Sequence, residues 1–131
     1  MDTQHVVLLG ATGLIGGHLL RALQDDPAVA SIKVLVRRSV DFVHPKVETS
    51  VIDFADLDTF RAEMDGCDLA FCAVGTTQKK VDGDHDAYRK VDHDIPVNAA
   101  RFAAEAGCAA FVVVSSVGAD SSSSNFYLRT K

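Results

Sequence analysis

A glycine-rich turn between an apolar run and an amphipathic segment constrains this chain more than any other feature. Residues 6–9 are all Val or Leu and predict a buried strand, and glycines follow at positions 10, 13 and 16. Apolar residues then recur at helical spacing through residues 14–24. A strand, a glycine turn and a helix in this order are typical of an anion site, because the start of a helix offers free N–H groups and the positive end of its dipole.

We expect each of the three glycines to have a different structural role in the turn. Gly10 permits the tight turn out of the strand, Gly13 removes a Cβ where the backbone approaches a pyrophosphate, and Gly16 lets the helix pack closely on the sheet. We therefore expect a dinucleotide cofactor at this turn.

The remainder of the chain alternates between strand-like and helix-like patterns, and 131 residues suit one domain. The patterns predict strands at 32–36, 47–52, 68–74 and 110–114, and helices at 56–64 and 87–106. We expect Pro96 to bend the last helix or to mark its true start. No helix fits in the loop at 39–46. This alternation predicts an α/β fold with a doubly wound parallel sheet, which binds ligands at the carboxyl ends of its strands.

Two arginines at the end of the second strand predict the choice of cofactor. In dinucleotide folds this position faces the adenine ribose, where an acidic residue binds a free 2′-hydroxyl and an arginine accommodates a 2′-phosphate. Arg37 and Arg38 occupy it here, without an acid. The pair favours NADP over NAD, and the alternative is two solvated cations on the surface.

Further cofactor contacts are expected where the third and fourth strands end. Asp53 either hydrogen-bonds adenine or begins the turn into the next helix, and Gly75 would let the backbone lie against a ribose. The residues that we expect to contact the cofactor are Gly10, Thr12, Gly13, Leu14, Ile15, Gly16, Arg37, Arg38, Asp53, Phe54, Ala73, Val74 and Gly75.

Composition and spacing argue against several other classes of protein. A net charge of −5 disfavours a nucleic-acid binder, and no apolar run approaches the length of a membrane span. The acidic and histidine residues at 82–86 and 92–94 match neither the calcium loop nor the zinc helix, so no metal site is expected. The three cysteines, Cys67, Cys72 and Cys108, lack metal-ligand spacing and predict small buried residues in a reducing compartment, with the cytoplasm as the expected location.

Three side-chain types near the end of the sequence suit carbonyl reduction. Tyr127 and Lys131 are four residues apart and would share one face of a helix, while Ser115 and Ser116 follow the fifth strand. A carbonyl that accepts hydride must also receive a proton, and a phenol that titrates at about 10 gives it up more easily beside a cation. A serine hydroxyl would hold the carbonyl oxygen.

The glycine turn, the strand that ends in Ser116 and the segment 127–131 together resemble the short-chain dehydrogenase/reductase superfamily. Residues 115–127 are similar to its atypical branch, which contains Tat-interacting-protein-like oxidoreductases. The resemblance covers essentially the whole chain and implies a Rossmann fold and NADP binding. It also implies that Tyr127 is the catalytic acid/base, that Lys131 is its partner and a ribose ligand, and that Ser116 orients the substrate.

Members of that superfamily continue well past the lysine. We therefore expect residues 1–131 to form an NAD(P)-binding Rossmann domain truncated after the fifth strand, without the substrate-binding part and without activity by itself. The function that the resemblance implies is NADP-dependent hydride transfer to or from a small carbonyl or alcohol. The alternatives are a non-catalytic NADP sensor that binds a protein partner, and a sugar-nucleotide epimerase or dehydratase. The sequence leaves the substrate and the oligomeric state open.

Overall fold

The computed structural model describes residues 3–74 and 90–114. Strands and helices alternate along this part of the chain, and a π-helical turn at Lys90–Asp94 leads into the last helix. The elements in chain order are β1 (Gln4–Leu9), α1 (Leu14–Asp25), β2 (Val29–Val36), β3 (Val47–Val51), α2 (Leu57–Glu63), β4 (Leu69–Cys72), α3 (Ile95–Glu105) and β5 (Ala110–Val113).

All five strands form one parallel sheet in the order β3-β2-β1-β4-β5. The chain builds outward from β1 to β3 and then returns to the other side of β1 for β4 and β5. The strand order therefore reverses between β1 and β4, and a doubly wound sheet binds its ligands at the carboxyl end of such a reversal. The architecture is Rossmann-like and confirms the predicted fold class.

Alternate residues of β1 point into two separate hydrophobic cores, as the two-residue period of a strand requires. Val6 and Leu8 pack in the core beneath α1, together with Leu20 and Leu23 of that helix. Val7 and Leu9 belong to the opposite core, which α2 and α3 cover. Burial on both faces explains why β1 reads as an uninterrupted apolar run.

An aromatic cluster joins α2 to α3 on the second face of the sheet. The buried Phe60 ring meets Phe102 edge to face, with the ring centroids 5.2 Å apart, and Phe54 packs on Phe60 at 5.0 Å. The Arg61 guanidinium lies 4.8 Å from the Phe102 ring centroid and pairs with Glu105 at 2.9 Å. These contacts fix the separation of the two helices.

Most predicted boundaries agree with the structure, and the largest difference lies before α3. Asp56 caps α2, since its carboxylate accepts a hydrogen bond from the Thr59 amide at 3.3 Å. Of the helix predicted over 87–106, residues 87–89 lie outside the described residues, and within residues 90–114 the α-helix begins at Ile95, after the π-helical turn. Pro96 lies in its first turn, where a missing N–H group costs nothing. Residues 37–46 are all described and contain no helix, as predicted.

Within residues 3–74 and 90–114, no helix is both long enough and apolar enough to cross a membrane.

Candidate functional site

Gly10 lies at the reversal point of the sheet and is confined by the end of β4. Its φ of +89° is in the left-handed region that favours glycine. A Cβ at this position would lie 2.4 Å from the Ala73 carbonyl carbon, which is far inside van der Waals contact. The turn out of β1 therefore requires glycine for both backbone conformation and space.

Gly16 brings the first turn of α1 against the glycine turn. A Cβ on Gly16 would lie 1.9 Å from the Gly10 carbonyl oxygen, so no side chain fits there. Gly13 is different, because its Cβ would meet the same oxygen at 3.6 Å, an ordinary contact. The packing of the protein itself thus requires Gly10 and Gly16 but not Gly13.

The start of α1 is arranged to receive an anion. Gly13 is the N-cap residue in extended conformation, and no side chain in the described part of the chain caps the helix. The first turn also carries no acidic residue. Its backbone N–H groups and the positive end of the helix dipole are therefore available to a negatively charged group.

A cavity of about 510 Å³ opens at this turn. Its walls come from the glycine turn, the end of β2 with both arginines, the end of β4 and the start of the last helical segment. The lining residues that were predicted as cofactor contacts are Gly10, Thr12, Gly13, Arg37, Arg38, Phe54, Ala73 and Val74. No Asp or Glu lines this cavity in the described ranges.

A second cavity of about 680 Å³ adjoins the first beyond Phe54. Arg37, Phe54, Val91 and Ile95 line both cavities. Asp53 lies on the second cavity, and its carboxylate accepts a hydrogen bond from the Ala55 amide at 2.9 Å. Asp53 therefore does begin the turn after β3, while its side chain stays exposed beside the cavity.

The remaining predicted site residues fall into two groups. Leu14 and Ile15 begin α1 with exposed side chains, Leu14 at 79% of its full exposure, and line neither cavity. Gly75, Ser116, Tyr127 and Lys131 lie outside the described residues. Within residues 3–74 and 90–114, no group of three or more His, Cys, Asp or Glu side chains could hold a metal ion.

Sequence reasoning missed the contribution of the segment before α3. Val91 and Ile95 line both cavities, and Ile95 also belongs to the core that α2 and α3 cover. Their position at the start of the helical segment between β4 and β5 could have indicated this role. A helix that follows a strand of a parallel sheet begins at the ligand-binding edge of that sheet.

Comparison with known proteins agrees with this geometry. Residues 10–131 match the model of a family described as NAD(P)H-binding. The chain belongs to this NAD(P)H-binding family. Together with the relatives below, the match confirms the predicted NAD(P)-binding protein with a Rossmann-like fold.

Two curated relatives and one solved structure illustrate the relationship. The HTATIP2 protein of Rattus norvegicus is 34% identical over 100% of this chain and 54% of its own length. The FMP52 protein of Meyerozyma guilliermondii, described by its name as mitochondrial, is 41% identical over 95% of this chain and 54% of its own length. Uronate dehydrogenase from Agrobacterium tumefaciens shares the fold, with a TM-score of 0.74 and 21% identity over 91% of this chain and 43% of the enzyme. The chain spans about half the length of the curated relatives it matches.

The glycine geometry predicts a sharp contrast between two neighbouring substitutions. Gly16→Ala should lower the free energy of unfolding by roughly 2 kcal/mol or more, because the new Cβ drives α1 away from the Gly10 carbonyl. Gly17→Ala is the matched control, since its Cβ would lie 3.6 Å from the Ala11 carbonyl oxygen and alanine favours a helix. Urea unfolding followed by circular dichroism measures both, and equal stability of the two variants would contradict the packing described.

Proposed function

We propose that this chain is the cofactor-binding domain of an NADP-dependent oxidoreductase that transfers a hydride to or from a small carbonyl or alcohol. The observation that carries the proposal is the open glycine turn between β1 and α1, with an arginine-lined cavity in front of it. When bound, NADP supplies the hydride-accepting or hydride-donating ring. We propose residues 1–131 as one NAD(P)-binding domain.

The residues of the turn fit a pyrophosphate. No packing contact among residues 3–74 and 90–114 requires glycine at position 13, and a group that approaches the backbone from the cavity side would explain its missing Cβ. The uncapped N–H groups of α1 would donate hydrogen bonds to the phosphate oxygens. Leu14 and Ile15 contribute to this interaction through their amides, and their exposed side chains do not need to contact the ligand.

The positive charge at the first cavity supports NADP over NAD as the cofactor. Arg37 and Arg38 both line it, and no carboxylate among its described lining residues would compete for them or repel a phosphate. A guanidinium presents a planar fork of donors that matches two phosphate oxygens. We therefore assign the adenosine 2′-phosphate to these arginines, with NAD as the less favoured cofactor.

The second cavity suits the adenine ring. Phe54, Val91 and Ile95 provide apolar surface, and Asp53 provides a hydrogen-bond acceptor at the edge. Ala73 and Val74 follow β4 on the opposite side of the glycine turn, toward the catalytic half of the site. An extended dinucleotide would thus cross the carboxyl ends of β3, β2, β1 and β4 in turn.

The catalytic roles rest on the resemblance to short-chain dehydrogenases. We assign proton transfer at the substrate oxygen to the Tyr127 hydroxyl, its support to the Lys131 ammonium, and substrate orientation to the Ser116 hydroxyl. These three residues lie outside the described part of the chain. The cytoplasm stays the proposed location, although the FMP52 relative is named as mitochondrial.

A non-catalytic NADP sensor that binds a protein partner is the second candidate. Neither the name HTATIP2 nor the name FMP52 describes a reaction, so the curated relatives do not distinguish the sensor from the enzyme. It shares the cofactor site with the first candidate and differs only in the role of the residues after β5.

The assignment of Arg37 predicts a selective loss of NADPH affinity. Arg37→Ala should weaken NADPH binding by about 10- to 100-fold, the worth of hydrogen bonds to a charged group, and leave NADH binding within about 2-fold. Arg21→Ala is the control, since Arg21 is exposed on α1 and lines neither cavity. Calorimetric titration measures each affinity. Equal losses for NADPH and NADH would remove the 2′-phosphate from this position.

Tyr127→Phe separates the enzyme from the sensor. In the enzyme, the substitution should lower NADPH-dependent reduction of small aldehydes and ketones by at least about 100-fold and leave NADPH affinity unchanged, because only the transferable proton is lost. Absorbance of NADPH follows turnover, and calorimetry follows binding. Turnover that survives the substitution would contradict the role of Tyr127. NADPH binding without turnover in a protein that also contains the substrate-binding part would favour the sensor.

A further inference from the structure

Two thiols meet at the edge of the sheet opposite the glycine turn. Cys67 lies two residues before the start of β4, and Cys108 lies two residues before the start of β5. Their Sγ atoms are 3.3 Å apart across a sequence separation of 41 residues. Because the strands are parallel, this amino-terminal edge is remote from the cofactor cavities at the carboxyl ends, and neither cysteine lines them.

The backbone holds the two cysteines directly opposite each other. β4 and β5 pair with Leu69 against Ala110, and the Ala109 amide donates to the Asp68 carbonyl at 2.8 Å. The same register carried back by two residues from the Leu69–Ala110 pair places Cys67 opposite Cys108. Neighbouring strands lie about 4.8 Å apart, within the range of about 4.4–6.8 Å between the Cα atoms of disulfide-bonded cysteines.

The side chains are already directed toward each other. The buried Cys67 thiol donates a hydrogen bond to the Cys108 sulfur, and the half-buried Cys108 thiol donates to the Ala110 carbonyl at 3.3 Å. Closing the sulfur separation from 3.3 Å to the bonded distance of about 2.05 Å needs only a small side-chain adjustment.

We propose that Cys67 and Cys108 are a redox pair that hydrogen peroxide converts into an intramolecular disulfide. The Cys108 sulfur attacks one peroxide oxygen, the O–O bond breaks, and Cys108 sulfenic acid and one water are formed. The Cys67 sulfur then attacks the Cys108 sulfur, the S–O bond breaks, and the hydroxide leaves with the Cys67 proton as a second water. The two sulfurs lose two electrons, which reduce the peroxide to two waters.

The environments of the two thiols set the order of these steps. Burial, followed by the hydrogen bond to Cys108 and the charge of that group, raises the pKa of Cys67 to about 12. Cys67 therefore remains a thiol at neutral pH, whereas the thiolate is the form that attacks peroxide. Cys108 is the more exposed sulfur and reacts first, and Cys67 serves as the resolving thiol.

The bond would connect the turn after α2 to the turn after α3. The opposite ends of the same helices carry residues of the second cavity, including Leu57 on α2 and Asn98 on α3. Oxidation would thus fix the two helices at the end remote from the cofactor. A closed loop of this length also restricts the unfolded chain, which raises the unfolding temperature. The inference concerns the thiols alone and does not depend on the proposed function.

The test is brief treatment of the reduced protein with a small excess of hydrogen peroxide, followed by alkylation and mass spectrometry. We expect the loss of two hydrogen atoms from the intact mass, a non-reducing peptide map that links Cys67 to Cys108, and full reversal by dithiothreitol. The unfolding temperature should rise by about 10 °C. Cys72→Ala, which changes the buried cysteine of β4, should keep the link.

Cys108→Ser and Cys67→Ala separate the two roles. The first should abolish peroxide consumption at this pair, and the second should leave Cys108 as a sulfenic acid that dimedone traps. Circular dichroism confirms that each variant is folded. Over-oxidation of Cys108 in the unsubstituted protein, a link through Cys72 or a link between two chains would each overturn the proposal.

Discussion

The contact between Gly16 and the Gly10 carbonyl is the constraint on which the rest of the candidate site depends. It lets α1 begin directly above the end of β1, so the uncapped helix terminus lies at the point where the strand order reverses. A larger residue would displace the helix and, with it, the free amides of its first turn. Gly10 is required for a second contact of the same turn, because only a residue without a Cβ lets the turn lie against the end of β4. The sheet, the helix and the cavity thus meet at one small region of backbone.

The opposite wall of the site depends on the packing of α2 against α3. The Phe60–Phe102 contact and the Arg61–Glu105 pair hold these helices together away from the cofactor edge, and the Phe54 ring extends the cluster to both cavities. The core and the candidate binding surface are therefore continuous through Phe54. The side of the cavities that Phe54 lines is therefore packed directly against the core.

The sequence predicted the structure best at positions where a residue type has a single structural role, such as glycine in a tight turn. The glycine spacing predicted both the turn and its place in the sheet, and the apolar run of β1 predicted burial on both faces. Arg37 and Arg38 were predicted at the ligand edge because strand ends in a parallel sheet share that edge. Periodicity could not show that Val91 and Ile95 belong to the cavities as well as to a helical face, since core-facing and ligand-facing positions have the same spacing at the first turn of a helix. Nor could it show the Cys67–Cys108 contact, because the register between β4 and β5 is a tertiary property.

The measurement that tests the central claim most directly is calorimetric titration of NADPH into the protein and into Gly13→Ala. Position 13 is in extended backbone, and a Cβ there would meet only an ordinary contact at 3.6 Å, so the variant should fold with a stability loss of no more than about 1 kcal/mol. If the turn is open because a pyrophosphate lies against it, the unsubstituted protein binds NADPH and the folded variant binds it at least about 10-fold more weakly. Equal affinities, or no binding by the folded unsubstituted protein, would contradict a dinucleotide site at the glycine turn.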